Sequence, residues 1–217
     1  KEDALPFLIR AAGAAARLFA YADAIRYLEK AENLLHDLHP HDPPIERVRE
    51  LAEIRQRRGD YEYAAGRYRA ALASYETALL LCRSAPDPAR EADLVRAAGR
   101  MHYLLGRPVE SQRTYEDAIA RYTALVEEAR AAGDATRLNA TLRELGKLCF
   151  FKGDMERSDR CLREAIELAE ARGDEALRAS ALNNLSGIHY VRGELEEALA
   201  CHRTAISIRE RLRDEPG

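Results

Sequence analysis

Apolar residues recur along this chain with the period of an α-helix, and glycines break the pattern at intervals. The clearest stretch runs from Leu182 to Ile206, LNNLSGIHYVRGELEEALACHRTAI. Leu182, Leu185, Ser186 and His189 fall on one face of a first helix, Gly193 stops it, and Ala198, Leu199, His202 and Ala205 fall on one face of a second. Such a pair has an apolar face that a neighbouring pair must cover.

The unit recurs upstream. Aligned on the turn residue, Phe19, Gly59, Gly106, Gly153 and Gly193 mark five repeats at spacings of 40, 47, 47 and 40 residues. With the turn numbered position 15, position 4 is Leu8, Val48, Val95, Leu142 and Leu182, apolar throughout. Position 8 is small: Ala12, Ala52, Gly99, Gly146 and Ser186. Position 20 is Ala24, Ala64, Ser111, Ser158 and Ala198, and position 27 is Ala31, Ala71, Ala118, Ala165 and Ala205. Antiparallel helices approach closely only where facing side chains are small, which is the physical reason for these rows.

The repeats are placed at about 2–37, 45–83, 89–132, 134–172 and 174–213. In the second, the helices are read as Ile45–Arg58 and Asp60–Arg83. Proline-rich stretches at 39–44 and 84–88 read as loops, and Gly133-Asp134 and Gly173-Asp174 as a helix stop followed by an N-cap. No composition shift marks a linker, so residues 1–217 are read as a single superhelical domain. Because the chain starts at Lys1 and stops directly after a second helix, it reads as a fragment of something longer.

Composition narrows the classes. The chain is 47% hydrophobic, too apolar for a disordered segment. A net charge of −3 leaves no general footprint for nucleic acid, so no direct nucleic-acid partner is expected. The cysteines Cys82, Cys149, Cys161 and Cys201 form no CxxC pair and read as reduced, which favours the cytoplasm. No run approaches a membrane span and no signal peptide is visible.

The rows resemble the tetratricopeptide repeat, whose signature is W-x2-L-G-x2-Y followed by A-x3-F, A and P. Leu145-Gly146, Gly59-Asp60-Tyr61 and Ala64-x3-Tyr68 carry the likeness. The resemblance implies an all-α, right-handed α-solenoid of about five lengthened repeats, about ten helices, that binds proteins or peptides. The long periods, and the opening Ala4-Leu5-Pro6-Phe7-Leu8-Ile9-Arg10-Ala11-Ala12-Gly13 through Tyr27-Leu28-Glu29-Lys30-Ala31, are similar to the C-terminal arrays of bacterial signal-transduction ATPases and large transcription activators. That likeness implies a bacterial regulatory module next to an ATPase or other effector domain, with a peptide or small-molecule effector. No Walker A motif lies in these 217 residues.

In this repeat the first helix lines a concave groove through positions 2, 5, 9 and 12. Position 5 reads Ile9, Arg49, Arg96, Arg143 and Asn183; position 9 reads Gly13, Glu53, Arg100, Lys147 and Gly187; position 12 reads Ala16, Gln56, Tyr103, Phe150 and Tyr190. The expected ligand-binding residues are therefore Arg49, Arg96, Arg100, Tyr103, Arg143, Lys147, Phe150, Asn183 and Tyr190. A planar guanidinium suits carboxylate or phosphate, and an aromatic face suits an apolar group. The competing reading has the cations paired with Glu46, Glu53, Asp93 and Glu144 on a solvated face, and the aromatics filling gaps between repeats. Serines replace small packing residues with no base beside them, so no catalytic site is expected. No cofactor is expected either. His36, His39 and His41 could hold a metal only weakly, so no metal site is assigned; His102, His189 and His202 are read as packed. The alternatives carried forward are a free-standing adaptor for acidic or C-terminal peptides and a structural module that stacks end to end.

Overall fold

The computed structural model describes residues 4–38 and 43–214. Ten helices make up the ordered elements among them: α1 (Ala4–Arg17), α2 (Tyr21–Leu38), α3 (Ile45–Ala64), α4 (Tyr68–Ser84), α5 (Pro88–Leu104), α6 (Pro108–Ala131), α7 (Ala135–Lys152), α8 (Met155–Ala171), α9 (Glu175–Val191) and α10 (Leu195–Asp214). The chain is an all-helical solenoid of helix–turn–helix repeats, α1–α2 through α9–α10. It divides into two compact units, Lys1–Asp117 and Ala118–Gly217, the division falling within α6.

In the first unit, Leu5, Ala12, Leu28, Ala31, Leu35 and Ile54 form one core where α3 meets the first repeat. Ala52, Ala71, Tyr75, Ala78, Leu94, Ala98 and Met101 form a second, where α5 meets α3 and α4. In the second unit Leu162 of α8 packs on Leu185 and Ile188 of α9, and Ala179, Ala205 and Ile208 close the last helix pair.

Helix starts follow local chemistry. Asp87, Asp134, Asp154 and Asp174 each accept a hydrogen bond from the backbone N–H three residues on, at 2.9–3.0 Å. Those bonds satisfy donors that a helix leaves unpaired at its first turn. Gly133 and Gly173, which precede two of these caps, take φ of 64° and 66°, as the glycine–aspartate pairs led one to expect.

The second repeat departs from expectation. Helix α3 continues through Gly59 to Ala64, and the turn lies at Gly66, with φ of 73°. The observed turns are Phe19, Gly66, Gly106, Gly153 and Gly193, spaced 47, 40, 47 and 40 residues apart. Gly59 instead occupies the small position 8, under the ring of Tyr75, where an added Cβ would stand 2.5 Å from the ring. Gly99 under Tyr115 and Gly146 under Leu162 are its counterparts. Position 20 of the second repeat becomes the fully buried Ala71 in place of the exposed Ala64, and position 27 becomes Ala31, Ala78, Ala118, Ala165 and Ala205, every one fully buried. The slip arises because seven residues are almost two helical turns, so a seven-residue shift preserves the face pattern to about 20°.

The longer period between Gly106 and Gly153 is helix rather than loop: α6 has 24 residues where α8, its counterpart in the next interval, has 17. Two further expectations fall elsewhere. Glu2 at the start of the first repeat, and His39 and His41 of the histidine-rich loop, lie outside the described residues. His202 is exposed rather than packed: it lines an open depression with Ser186, Leu195 and Leu199 instead of a closed core. His189 is buried as expected, its Nδ1 2.5 Å from Glu194 Oε2.

Candidate functional site

The first helices of repeats two to five are α3, α5, α7 and α9. With the turn of repeat two at Gly66, positions 5, 9 and 12 of α3 are Gln56, Asp60 and Tyr63. Arg49 therefore leaves the row. It is exposed on the same general face of α3, but seven residues earlier than Gln56, about 10 Å along the axis at 1.5 Å per residue. Tyr63 is the residue the sequence reading missed. The signal was present in Gly66, a second candidate turn that brings Gly59 into the row of small residues and Ala78 into the row of alanines.

In the first unit, α3 and α5 bring Tyr63, Arg96, Arg100 and Tyr103 into adjoining repeats. The Arg100 guanidinium lies over the Tyr63 ring at 4.3 Å from its centroid, a cation–π contact made within the chain. Arg96 meets Asp93 at 3.5 Å, one turn earlier on the same helix. Beneath them the Tyr75 hydroxyl donates to Asp60 at 2.9 Å. Burial raises the Asp60 carboxyl above the ordinary range, with the Tyr75 bond and Arg96 opposing it, although Asp60 keeps an open edge to solvent. Burial and the charge of Asp60 push the Tyr75 phenol up, so it remains a donor. Tyr103 is 69% exposed, its ring open to a ligand.

In the second unit the row divides differently. Lys147 is paired with Glu144 on its own helix. Phe150 is half-buried, packs on the cluster of Leu162, Leu185 and Ile188, and would lie 3.9 Å from a Cβ at Gly187. It fills the gap between repeats, as the competing reading held. Asn183 is half-buried, and its carbonyl accepts from the Ser186 hydroxyl at 2.8 Å. Tyr190 is 69% exposed. Arg143 stands apart: half-buried, with Nε lacking a hydrogen-bond partner and no carboxylate paired to it among the described residues. The reason is local. Arg96 has Asp93 three residues before it, whereas Arg143 has Ala140 there.

Each unit thus carries guanidinium groups and an exposed tyrosine on its first helices, on a scaffold of repeated helix pairs. The family model of the tetratricopeptide repeat matches residues 45–124 and 137–211, and the chain belongs to that family. The family scaffold is a protein-interaction module. None of the curated proteins matches the chain in sequence.

Solved structures share the fold. The chain is similar to BtubC from P. vanneervenii at 18% identity and a TM-score of 0.60, over 100% of this chain and 93% of that one. It is similar to the Rap conjugation gene regulator of plasmid pLS20, solved with the Phr* peptide, at 20% identity and a TM-score of 0.66, over 97% of this chain and 54% of that one. The kinesin-light-chain TPR-like repeats of Podosopora anserina align at 13% identity and a TM-score of 0.63, over 99% of each chain. The chain thus spans about half the length of the Rap regulator it resembles. Among the described residues, no helix is long and apolar enough to cross a membrane.

Proposed function

We propose that this chain is a non-catalytic protein-interaction and ligand-sensing module of a larger bacterial regulatory protein, and that it receives an anionic peptide or protein segment on its first-helix face. One observation carries the reading: the Arg143 guanidinium is half-buried and without a carboxylate among the described residues. A partly desolvated cation kept without an internal partner is costly, and an incoming carboxylate would offset that cost. Within the same unit, Tyr190 offers an open ring for an apolar group of that ligand. The peptide carried by the similarly folded Rap regulator supports a peptide as the ligand class.

With the five repeats acting as one module, a ligand would bias an attached effector by binding one arrangement of the repeats more tightly than another. The resemblance to arrays that follow signal-transduction ATPases supports such an effector. The free thiols among the described residues support a reducing, cytoplasmic setting. The test is an affinity capture of partners from source-cell extract on the chain and on Arg96→Glu with Arg143→Glu, with helicity followed by circular dichroism. Loss of the partner at unchanged helicity is expected. A partner held equally by the double variant overturns the reading.

A further inference from the structure

The three most exposed large apolar side chains among the described residues are Leu18 and Phe19, each 79%, and Val109, 76%. All three belong to the first unit. Leu18 and Phe19 make the turn between α1 and α2, and Val109 opens α6 just past Gly106. From α1 to α5 each helix packs on the next, and neighbours joined by short connections run antiparallel. The turns that follow α1, α3 and α5 therefore lie at one end of the helix layer.

Phe19 stands where the other turns have glycine. Gly66, Gly106, Gly153 and Gly193 take positive φ, and Phe19 does so too, at 59°. Glycine adopts that conformation freely, whereas an L side chain is strained there. Within the fold the ring meets Tyr21 edge-on, with centroids 6.2 Å apart, and otherwise faces outward. A strained, outward-facing ring at a turn points to a use outside the chain.

Charge accompanies these apolar groups. Residues 17–21, 65–69 and 105–110 hold Arg17, Arg67, Arg69 and Arg107 against one carboxylate, Glu110, on a chain whose net charge is −3. All four arginines are exposed, and none meets a carboxylate among the described residues. Asp23, just beyond the first turn, is taken up by Arg26 at 2.8 Å. This edge of an acidic chain is cationic.

A protein interface gathers its apolar residues into a contiguous centre from which charge is excluded. Here Leu18 and Phe19 stand on one turn and Val109 beside another, with arginines among them. A lipid surface accepts such separate anchors, each sunk to the acyl boundary while guanidinium groups stay at the level of the phosphates. We infer that the turn edge of the first unit docks on an anionic lipid surface, with Leu18, Phe19 and Val109 entering it and Arg17, Arg67 and Arg107 holding lipid phosphates. The edge lies on the membrane without spanning it, and it does not depend on the Arg143 face.

The test is flotation of the 217-residue chain with vesicles of phosphatidylcholine alone and of equal parts phosphatidylcholine and phosphatidylglycerol. Association with the mixed vesicles at low salt, weakening as salt rises, is expected. The chain has no tryptophan, so Phe19→Trp supplies a lone reporter whose emission should move to the blue on the mixed vesicles. Leu18→Ser with Phe19→Gly is expected to cut binding about tenfold or more while thermal stability holds, since glycine relieves the turn. Arg17→Glu with Arg67→Glu and Arg107→Glu is expected to cut it about a hundredfold or more. Arg96→Glu, which belongs to the partner face, is expected to leave vesicle binding within about twofold. No association with the mixed vesicles, or no blue shift, overturns the inference. So does binding that the triple arginine variant loses and the Leu18 and Phe19 variant keeps, the mark of a surface for any polyanion, nucleic acid included.

Discussion

Glu32 of α2 meets Arg55 of α3 at 3.0 Å, at two positions where every other repeat carries an aliphatic side chain. Opposite Glu32 in the pattern stand Leu79, Ile119, Ile166 and Ile206; opposite Arg55 stand Leu8, Val95, Leu142 and Leu182. The Glu32 side chain is 5% exposed, and Arg58, Glu29, Glu62 and Ser74 complete the charged and polar seam around it. A buried pair of this kind costs desolvation that its attraction repays only in part, so it specifies a junction more than it strengthens one.

Removing one partner should therefore hurt more than removing both. Arg55→Leu is expected to destabilise the chain by about 3 kcal/mol in urea unfolding, and Glu32→Ile with Arg55→Leu to recover most of that loss. Burial already raises the Glu32 carboxyl, with Arg55 and Arg58 opposing the rise. A raised folded-state pKa means the folded chain holds the proton more tightly. Stability of Arg55→Leu should thus grow as pH falls from 7.5 toward 5, and the double variant should lack that gain. A flat pH profile for the single variant would contradict the account.

Gly59 and Gly66 should respond differently to alanine. At Gly59 a Cβ would meet the Tyr75 ring at 2.5 Å, and overpacking of a core costs about 1–3 kcal/mol, outweighing the better helix propensity of alanine. At Gly66 nothing lies within 4 Å, so the cost is only that of positive φ, about 1 kcal/mol. Thermal unfolding of the two variants gives the order, and a milder effect at Gly59 would show that the Tyr75 ring moves aside freely.

Arg49 and Arg143 separate the two alignments of the groove. Arg143→Glu is expected to lower partner binding by about tenfold or more, the loss of a charge-assisted hydrogen bond. Arg49→Glu, two helical turns from the row, should leave the affinity within about twofold. Equal losses would restore Arg49 to the site.

Cysteine alkylation reports the core of the second unit. Burial pushes the Cys149 thiol up to about 11, and it is 1% exposed, whereas Cys201 is half-buried. Iodoacetamide at pH 7.5 should label Cys201 first and reach Cys149 only in denaturant, because the thiolate is the reacting form. Mass spectrometry of the labelled peptides measures this, and rapid native labelling of Cys149 would mean that α7 opens far more readily than its packing implies.

The sequence alone determined the kind of structure. Rows of small residues can survive only where helices touch, so Ala31, Ala118, Ala165 and Ala205 announced the contacts that bury them fully. Aspartates after glycine announced α7 and α9, since a cap acts through the backbone of its own three neighbours. The register of the second repeat was not decided there. Gly59 and Gly66 lie seven residues apart, and a shift of nearly two turns returns each side chain to almost the same face. Only the packing of Tyr75 over Gly59 selected Gly66 as the turn, moved Arg49 out of the row and brought Tyr63 in. Pairing was likewise beyond the pattern: Arg96 and Arg143 occupy one repeat position, yet one meets Asp93 and the other meets no carboxylate among the described residues. Helical periodicity reports which face a residue occupies, while the partner it finds depends on distances that only the folded chain sets.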